Sequence, residues 1–202
     1  KQFGIGLGQT SDSEDFAGGL FKSFGADIVD AKGNITLNTD AVKAVLEYGA
    51  RLVKSLPDNA VSYDDASNNR ALISGQSALI CNPPSAWAVA KKAAPQIAAD
   101  CWTFPTPKGV KGRFVPYLPY FWGVWKFSKN KAAAKELLTF LMQREQIEER
   151  AIAVSGYDIP PFTSMSDFKI WSEVEPPKGM AYNYPIRKES GSVASIAMSP
   201  AP

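Results

Sequence analysis

The sequence predicts a mixed α/β fold with one open, mostly parallel sheet and helices on its faces. Short apolar runs of strand length alternate along the chain with longer segments whose apolar residues recur every three or four positions. The alternation is clearest over 78–104, where strand, helix and strand predict a β-α-β unit with a right-handed crossover. We expect roughly four or more strands in the sheet, and ligands in the crevice beyond their carboxyl ends.

The first strand and helix occupy the opening part of the chain. Glycine alternates with apolar residues over 3–10, which predicts a strand whose backbone another element approaches closely. Ser11 and Glu14 have the spacing of a capping box, and Gly25 is expected to end the helix. No dinucleotide site is expected, because Gln9 stands where that fingerprint needs its third glycine.

A short β-turn-β piece leads into the longest helix. Strands at 28–29 and 34–37 flank a turn, and the helix is predicted over 40–56 with Thr39 or Asn38 as its cap. Its buried stripe is predicted to comprise Val42, Val45, Leu46, Gly49, Leu52, Val53 and Leu56.

The middle of the chain continues the alternation. A helix over 64–74 leads into a strand over 78–81. The next helix contains Trp87 and is ended or kinked by Pro95, and a strand follows over 101–104.

An aromatic strand and two helices are predicted in the later part of the chain. The strand covers 120–127, one helix begins after Asn130, and a second covers 144–154. A helical turn is expected over 168–174, and loop thereafter. The first of these helices is expected to bury Ala134, Leu137, Leu138 and Leu141.

The composition is that of an ordinary globular domain. Hydrophobic residues make up 45% and charged residues 21% of the 202 residues. The net charge is +2 and the basic residues are dispersed, so neither nucleic acid nor an anionic membrane is an expected partner. No apolar run approaches the ~20 residues that span a bilayer. The first residues do not resemble a secretory signal, so export does not follow from the residues themselves.

The absence of histidine narrows the possible chemistry. It excludes a Ser-His-Asp triad, a Cys-His dyad and the common His-based zinc sites. Cys81 closes one predicted strand and Cys101 opens another. If these strands run parallel, the two residues lie ~13 Å apart, whereas a disulfide needs Cα atoms within ~7 Å. We therefore expect buried free thiols, no metal and no cofactor, which leaves a carboxylate-only mechanism or a site without chemistry.

Four stretches, in order along the chain, resemble one protein family. They are 24–38, 74–87 (Ser-Gly-Gln-Ser-Ala-Leu-Ile-Cys-Asn-Pro-Pro-Ser-Ala-Trp), 121–141 with its Asn-Lys-Ala-Ala-Ala helix start, and 155–160 (Ser-Gly-Tyr-Asp-Ile-Pro). Together they resemble the carbohydrate-binding branch of the solute-binding proteins of ABC importers, the group that includes maltose-binding protein. The chain departs from the family at Ser85, where the family often carries a stacking aromatic ring.

The resemblance implies a two-lobed receptor that captures a solute by hinge closure, breaks no bond and delivers the solute to an ABC permease. It implies that 1–185 is the second lobe and 186–202 a return segment or linker. The implied location is periplasmic or extracytoplasmic. The moderate aromatic content and the lack of a basic cluster favour a neutral polyhydroxylated ligand such as a sugar, with a polyol or polyamine as alternatives. Aromatic surface left exposed by a half-cleft could also support a non-physiological dimer.

A sugar site needs aromatic platforms beside hydrogen-bonding side chains. Trp87 can face such a crevice or fill the core, and most aromatic residues of 117–125 are expected to be core. Asp12 and Asp15 are expected to stabilise a helix N-terminus rather than to contact ligand. The predicted ligand-binding residues follow strands or lie in irregular chain: Gln9, Thr10, Trp87, Tyr120, Trp122, Tyr182, Asn183 and Tyr184.

Two other function classes stay open at this point. A carboxylate-based glycosidase would need two facing acids, for which Asp64, Asp65 and Asp158 are available without a linking motif. An interaction module would instead expose the crowded Trp and Tyr residues as a patch for a partner.

Overall fold

The computed structural model describes residues 2–104, 106–117, 120–158, 160, 162–165, 167–171 and 192–194. Helices and parallel strand pairs are mixed along the chain, which confirms the predicted fold class. The helices are α1 (Ser11–Phe24), α2 (Asp40–Leu52), α3 (Ser67–Ile73), α4 (Ser85–Ala93), α5 (Pro95–Ala99), α6 (Lys131–Leu141) and α7 (Arg144–Ala153). The strands are β1 (Gln2–Gly4), β2 (Ser77–Ile80), β3 (Val115–Tyr117) and β4 (Ser192–Ala194), and 3₁₀ turns cover Val53–Ser55, Ala60–Ser62, Thr163–Met165 and Lys169–Trp171.

The strands form two parallel pairs. β1 pairs with β2, with Gly4 opposite Ile80 and a register irregularity after Gln2. β3 pairs with β4, with Val115 opposite Ser192. Both pairs match the expectation of parallel pairing.

The expected single sheet of about four or more strands is not formed by the described residues. Residues 101–104 and 120–127 are irregular there, so the predicted strands at both places are wrong, and with them the β-α-β crossover. A strand is stabilised by the ladder of hydrogen bonds to its neighbour. Neither segment pairs with a strand of the described chain, so its β-propensity alone does not make it a strand.

The glycines of the first strand are required by close packing, as the sequence predicted. A Cβ built on Gly4 would lie 2.6 Å from the Ser77 hydroxyl, and one on Gly8 would lie 2.9 Å from the Tyr63 carbonyl oxygen. The residues after β1 therefore run directly against 60–63, and the Leu7 amide donates to the Ala60 carbonyl at 2.8 Å.

Helix ends follow local signals closely. Thr39 caps α2 with its side chain, and Gly25 ends α1 in the left-handed region at φ 78°. The predicted capping box of Ser11 and Glu14 is wrong, because Thr10 rather than Ser11 is the N-cap of α1, and the Thr10 hydroxyl accepts from the Ser13 amide. The extended backbone of Thr10 (φ −135°, ψ 156°) suits an N-cap, whereas Ser11 is already helical.

Among the described residues, the core consists of three apolar clusters. One lies between α4, α5 and α7 and includes Trp87, Ala98, Ile147 and Phe168. A second packs Ile5 after β1 against Leu56 and Ala60. The third joins α1 to α2, and Ala26, Val42 and Val45 form its centre.

The helix α6 differs from its prediction. Leu137 of the expected buried stripe is 56% exposed, and the helix has no buried residue. Cys81 and Cys101 are free thiols, as predicted, but they are half-buried and not fully buried. No helix in the described ranges is long and apolar enough to cross a membrane.

Candidate functional site

The carboxyl ends of β1 and β2 lie side by side, and the residues that follow them form a polar edge. The β1 end continues into the N-terminal turn of α1, and the β2 end continues through Cys81 and Asn82 into α4. We name Asp12, Asp65, Asn68 and Asn82 the polar edge. Hydrogen bonds join the first three residues, and Asn82 follows the end of β2. The polar edge lies where ligands were expected from the sequence, beyond the carboxyl ends of the strands.

Asp12 is the centre of a hydrogen-bond network across three segments of the chain. Its backbone amide donates to Asp65 Oδ1 at 3.1 Å. Its carboxylate oxygen Oδ2 accepts from Asn68 Nδ2 at 2.8 Å. The same Asn68 amide group also donates to the Cys81 carbonyl at 3.3 Å, and Asn68 is only 2% exposed. The network therefore ties α1, α3 and the end of β2 together.

The edge is acidic, and this charge perturbs its groups. Burial raises the pKa of Asp12 and the charges of Asp65 and Asp15 raise it further, while the hydrogen bond from Asn68 opposes the shift. Burial, with the charges of Asp12 and Asp15, raises the pKa of Cys81 to about 11, so that thiol stays protonated at neutral pH. None of the ion pairs that the structure describes involves Asp12 or Asp65.

Replacing Asp12 by Asn should change the pH dependence of stability. Because the folded-state pKa of Asp12 is raised, its ionisation costs stability, and this cost appears as the pH rises above 3.8. Relative to wild type, Asp12→Asn is therefore expected to gain stability between about pH 4 and pH 7, by less than ~1 kcal/mol after solvent screening. Urea denaturation of both proteins at the two pH values measures the difference.

Asp64→Asn provides a control of opposite sign. Hydrogen bonds from Ser67 and Arg70 lower the pKa of Asp64, so its ionised form contributes stability above 3.8 that is lost as the pH falls. Relative to wild type, this variant should be less stable above pH 3.8, and the difference should shrink as the pH falls below that value. Equal pH dependence of wild type and Asp12→Asn between pH 4 and pH 7 would contradict the assignment of Asp12.

Asn82 presents a buried acceptor at the end of β2. Its Nδ2 group donates to the Pro83 carbonyl at 2.8 Å and to the Ser85 hydroxyl at 3.3 Å. Its Oδ1 atom is buried and accepts no hydrogen bond from the described residues. A buried acceptor without a donor is costly to the folded state.

Trp87 lies in the core, which corrects its prediction as a ligand-stacking ring. It is 8% exposed, packs with Ala98, Ile147 and Phe168, and donates from Nε1 to the Ala98 carbonyl at 3.2 Å. The apolar face of α4 turns toward α5 and α7, and the bulkiest residue of that face fills the space between them. Its ring is therefore not available for stacking on a solute.

The strand-end residues Gln9 and Thr10 differ in their availability. Gln9 is exposed beside the N-terminus of α1. The Thr10 hydroxyl caps the helix and shares a hydrogen bond with the Ser13 hydroxyl at 2.8 Å, so its described role is structural.

The aromatic residues of 120–127 are exposed, which corrects the expectation that most of them are core. Tyr120 is 74% and Trp125 73% exposed. Trp122 is 48% exposed, and the Arg150 guanidinium lies 5.5 Å from its ring centroid. Burial raises the pKa of Tyr157, and the charges of Asp158 and Tyr120 raise it further. Tyr120 therefore lies near the loop after α7.

The chain that leads to these aromatic residues runs along α1. A Cβ on Gly109 would meet Ser23 near the end of α1, and one on Gly19 would meet Phe114 and Pro116. From 109 to 116 the chain thus travels from the C-terminal half of α1 toward its N-terminal half, where Asp12 lies. Tyr182, Asn183 and Tyr184 lie outside the described residues.

None of the four polar-edge residues was predicted from the sequence as a ligand contact, and Asp12 was expected to stabilise a helix N-terminus instead. Asn82 follows a strand directly, and this position could have identified it. Asn68 lies within a helix and is identified only by its burial against two distant segments.

Asp64, one of the acids considered for glycosidase chemistry, is not placed to act as a general acid. Asp64 is exposed and bound to Arg70 and Ser67, and its lowered pKa is the reverse of what a general acid needs. Among the described residues, no group of His, Cys, Asp and Glu could hold a metal ion.

Comparison with known proteins gives consistent results. Residues 2–178 match the family described as bacterial extracellular solute-binding protein. A curated relative from Deinococcus radiodurans, "Probable ABC transporter-binding protein", is 28% identical over 137 residues, which are 65% of this chain and 32% of that protein. Maltose-bound MalE3 of T. maritima has a TM-score of 0.65 at 22% identity, over 85% of this chain and 48% of that one.

A second solved structure, from Synechococcus sp. MITs9220, is provisionally assigned as an oligosaccharide periplasmic-binding protein and was solved in complex with zinc. It has a TM-score of 0.64 at 19% identity, over 88% of this chain and 44% of that one. These structural similarities show the shared fold, and none of the comparisons supports a dimer. The chain spans less than half the length of each of these relatives. With 2–178 matched, the chain belongs to the family of bacterial extracellular solute-binding proteins.

Proposed function

We propose that this chain is the second lobe of a two-lobed receptor that captures a small polyhydroxylated solute, such as a sugar, for an ABC permease. By full-length receptor we mean this lobe joined to a first lobe of similar size. We place it in the periplasm or outside the cytoplasm, and we propose that it binds its ligand without making or breaking a bond. The family and the ABC transporter-binding relative support this proposal.

The observation that carries the proposal is the acceptor-rich polar edge at the strand ends. Asp12, Asp65 and Asn82 present carboxylate and amide oxygens there, and Asn82 Oδ1 has no donor among the described residues. A sugar offers several hydroxyl donors, and one such acceptor can orient each of them. The maltose-bound structural neighbour supports a sugar as the ligand.

Aromatic residues complete the proposed site. Trp122 and Tyr120 are exposed, and the chain before them runs along α1 toward the end that carries the polar edge. The face of a sugar ring stacks on such platforms, as bases and other flat ligand surfaces do. Gln9, Tyr182, Asn183 and Tyr184 remain proposed contacts, whereas Trp87 and Thr10 are replaced by the residues of the polar edge.

A polyamine is the second candidate ligand, because the acids of the polar edge favour cations. Asp12 and Asp65 take part in none of the described ion pairs, and repulsion from Asp65 adds to the burial that raises the pKa of Asp12. A cationic amine would relieve that repulsion, whereas a sugar would use the same oxygens as acceptors.

A thermal-shift screen of the full-length receptor tests the proposal. The panel contains neutral mono- and disaccharides, polyols and polyamines, and a ligand at about 100 times its dissociation constant should stabilise by ~2.7 kcal/mol. We expect a rise in Tm with at least one neutral sugar. A rise with polyamines alone would select the second candidate, and a rise with no member of the panel would contradict both.

A further inference from the structure

The proposed solute site is rich in hydrogen-bond acceptors and poor in donors. The ionised carboxylates of Asp12 and Asp65 only accept hydrogen bonds, and Asn82 Oδ1 is an acceptor as well. Each hydroxyl of a sugar donates one hydrogen bond, but its oxygen also carries two lone pairs that accept. A site that orients a sugar through its hydroxyls therefore needs donors in addition to the polar edge.

Arg150 of α7 supplies such donors beside Trp122 and Tyr120, which we name the aromatic platform. Its half-buried guanidinium lies 5.5 Å from the ring centroid of Trp122. Among the described residues, none of the ion pairs or side-chain hydrogen bonds includes this guanidinium. A guanidinium carries five N–H donors and no acceptor, so its donors are open to oxygens that the described chain does not provide.

Two independent contacts place the aromatic platform against the end of α7. The first is the contact of Trp122 with Arg150 in the last turn of the helix. The second involves the loop that follows: burial raises the pKa of Tyr157, and the charges of Asp158 and Tyr120 raise it further, so Tyr120 lies near that loop. Both rings of the platform are therefore close to the helix end that carries Arg150.

Arg144, at the start of the same helix, shows how a structural arginine is bound in this protein. Its guanidinium also lies on an aromatic ring, 4.9 Å from the Phe168 centroid, but that ring is only 1% exposed. Its N–H groups donate to the Ser164 carbonyl and to Asp167 Oδ1, both at 2.7 Å. Of these two arginines, Arg150 alone keeps its donors open within the described chain, and the ring beside it is 48% exposed.

We propose that Arg150 is a specificity-determining residue of the receptor, and that it donates hydrogen bonds to hydroxyl oxygens of a sugar stacked on Trp122. This inference rests on the proposed function and deepens it. Contact with the ring holds the guanidinium at the edge of the platform, and its planar fork of N–H groups reaches two neighbouring oxygens at once. The acceptors of the polar edge and the donors of Arg150 then match both halves of a hydroxyl group.

The charge of Arg150 also decides between the two candidate ligands. The acids of the polar edge attract a polyamine and a sugar alike, because both offer N–H or O–H donors. At the aromatic platform the two ligands differ, since an ammonium group meets a like charge there and a hydroxyl oxygen meets a donor. Arg150 therefore selects the polyhydroxylated solute against the cationic one.

Replacing Arg150 by Met in the full-length receptor tests the inference. Methionine keeps the length and the apolar stem that packs on Trp122 but has no N–H donor. Calorimetric titration with the neutral mono- and disaccharides of the thermal-shift panel should show that affinity falls at least ~tenfold. Arg150→Lys, which keeps the charge but not the planar fork, should lose less. The matched control is Arg144→Met, which should lower Tm and leave sugar affinity within about twofold.

Monodeoxy derivatives of each sugar that binds distinguish contact with the solute from support of the Trp122 ring. The wild type should bind at least one derivative more weakly than its parent sugar, because the Arg150 guanidinium loses its acceptor. Arg150→Met should bind that derivative and the parent equally. The same ratio of affinities in both proteins for every derivative would mean that Arg150 only supports the ring, and would overturn the inference.

The remaining outcomes separate this inference from the proposed function. Equal sugar affinity of wild type and Arg150→Met would overturn the inference alone. A wild type that binds no sugar of the panel would contradict the proposed function, and the inference with it. Spermidine should cause no rise in the Tm of the wild type, and a rise would overturn the assignment of Arg150 as the residue that excludes cations.

Discussion

Replacing Trp87 by Ala is expected to lower the free energy of unfolding of the full-length receptor by about 3–5 kcal/mol. The indole ring is 8% exposed and packs among Ala98, Ile147 and Phe168, so truncation leaves a cavity between α4, α5 and α7. It also removes the hydrogen bond from Nε1 to the Ala98 carbonyl, at 3.2 Å. Urea denaturation of both proteins measures this loss.

Two further variants separate the causes of that loss. Trp87→Phe keeps an aromatic ring but removes the hydrogen bond from the indole, and the Ala98 carbonyl keeps the Cys101 amide as a donor at 3.2 Å. This variant should therefore cost about 0.5–1.5 kcal/mol. Leu46→Ala, at a residue 58% exposed on α2, should change stability by no more than ~0.5 kcal/mol. If Trp87→Ala instead left stability intact and abolished solute binding, the placement of this ring in the core would be wrong.

Replacing Trp122 by Ala is expected to weaken solute binding to the full-length receptor by about 1–3 kcal/mol, if this ring stacks on the solute as other aromatic platforms do. The ring is 48% exposed and lies against Arg150, which holds it in place at the end of α7. Stability should change much less than affinity, because the ring lies outside the three core clusters. Calorimetric titration with the solute found in the screen measures the change.

Phe127→Ala is the matched control for Trp122→Ala. Phe127 is an aromatic residue of the same segment and is 79% exposed, but it is not part of the proposed site. Its removal should leave the affinity within about twofold. Equal losses of affinity for the two variants would mean that Trp122 acts through the structure of the segment and not through contact with the solute.

Local signals in the sequence predicted the features that depend on local interactions. Thr39 caps α2 and Gly25 ends α1 because both effects act within one turn of a helix. The alternation of glycine after Gln2 predicted close packing correctly, since only residues without a side chain fit against Ser77 and Tyr63. The free state of Cys81 and Cys101 also agrees with the prediction.

Features that depend on distant partners could not be predicted from the same signals. The side of α4 that carries Trp87 is apolar in either environment, so the sequence does not distinguish a core ring from a cleft ring. The segment 120–127 has strand propensity, but a strand also needs a neighbour, and the described chain provides none. Asn68 joins the polar edge only because α3 brings it against Asp12 and Cys81.

Calorimetric titration of the full-length receptor with neutral sugars and with polyamines tests the proposed function most directly. We expect a neutral sugar to bind in the micromolar range, at ~−8 kcal/mol, and Asp12→Ala to weaken that binding because the polar edge loses an acceptor. A receptor that binds no sugar, or whose sugar affinity is the same in wild type and Asp12→Ala, would contradict the proposal that the polar edge holds a polyhydroxylated solute.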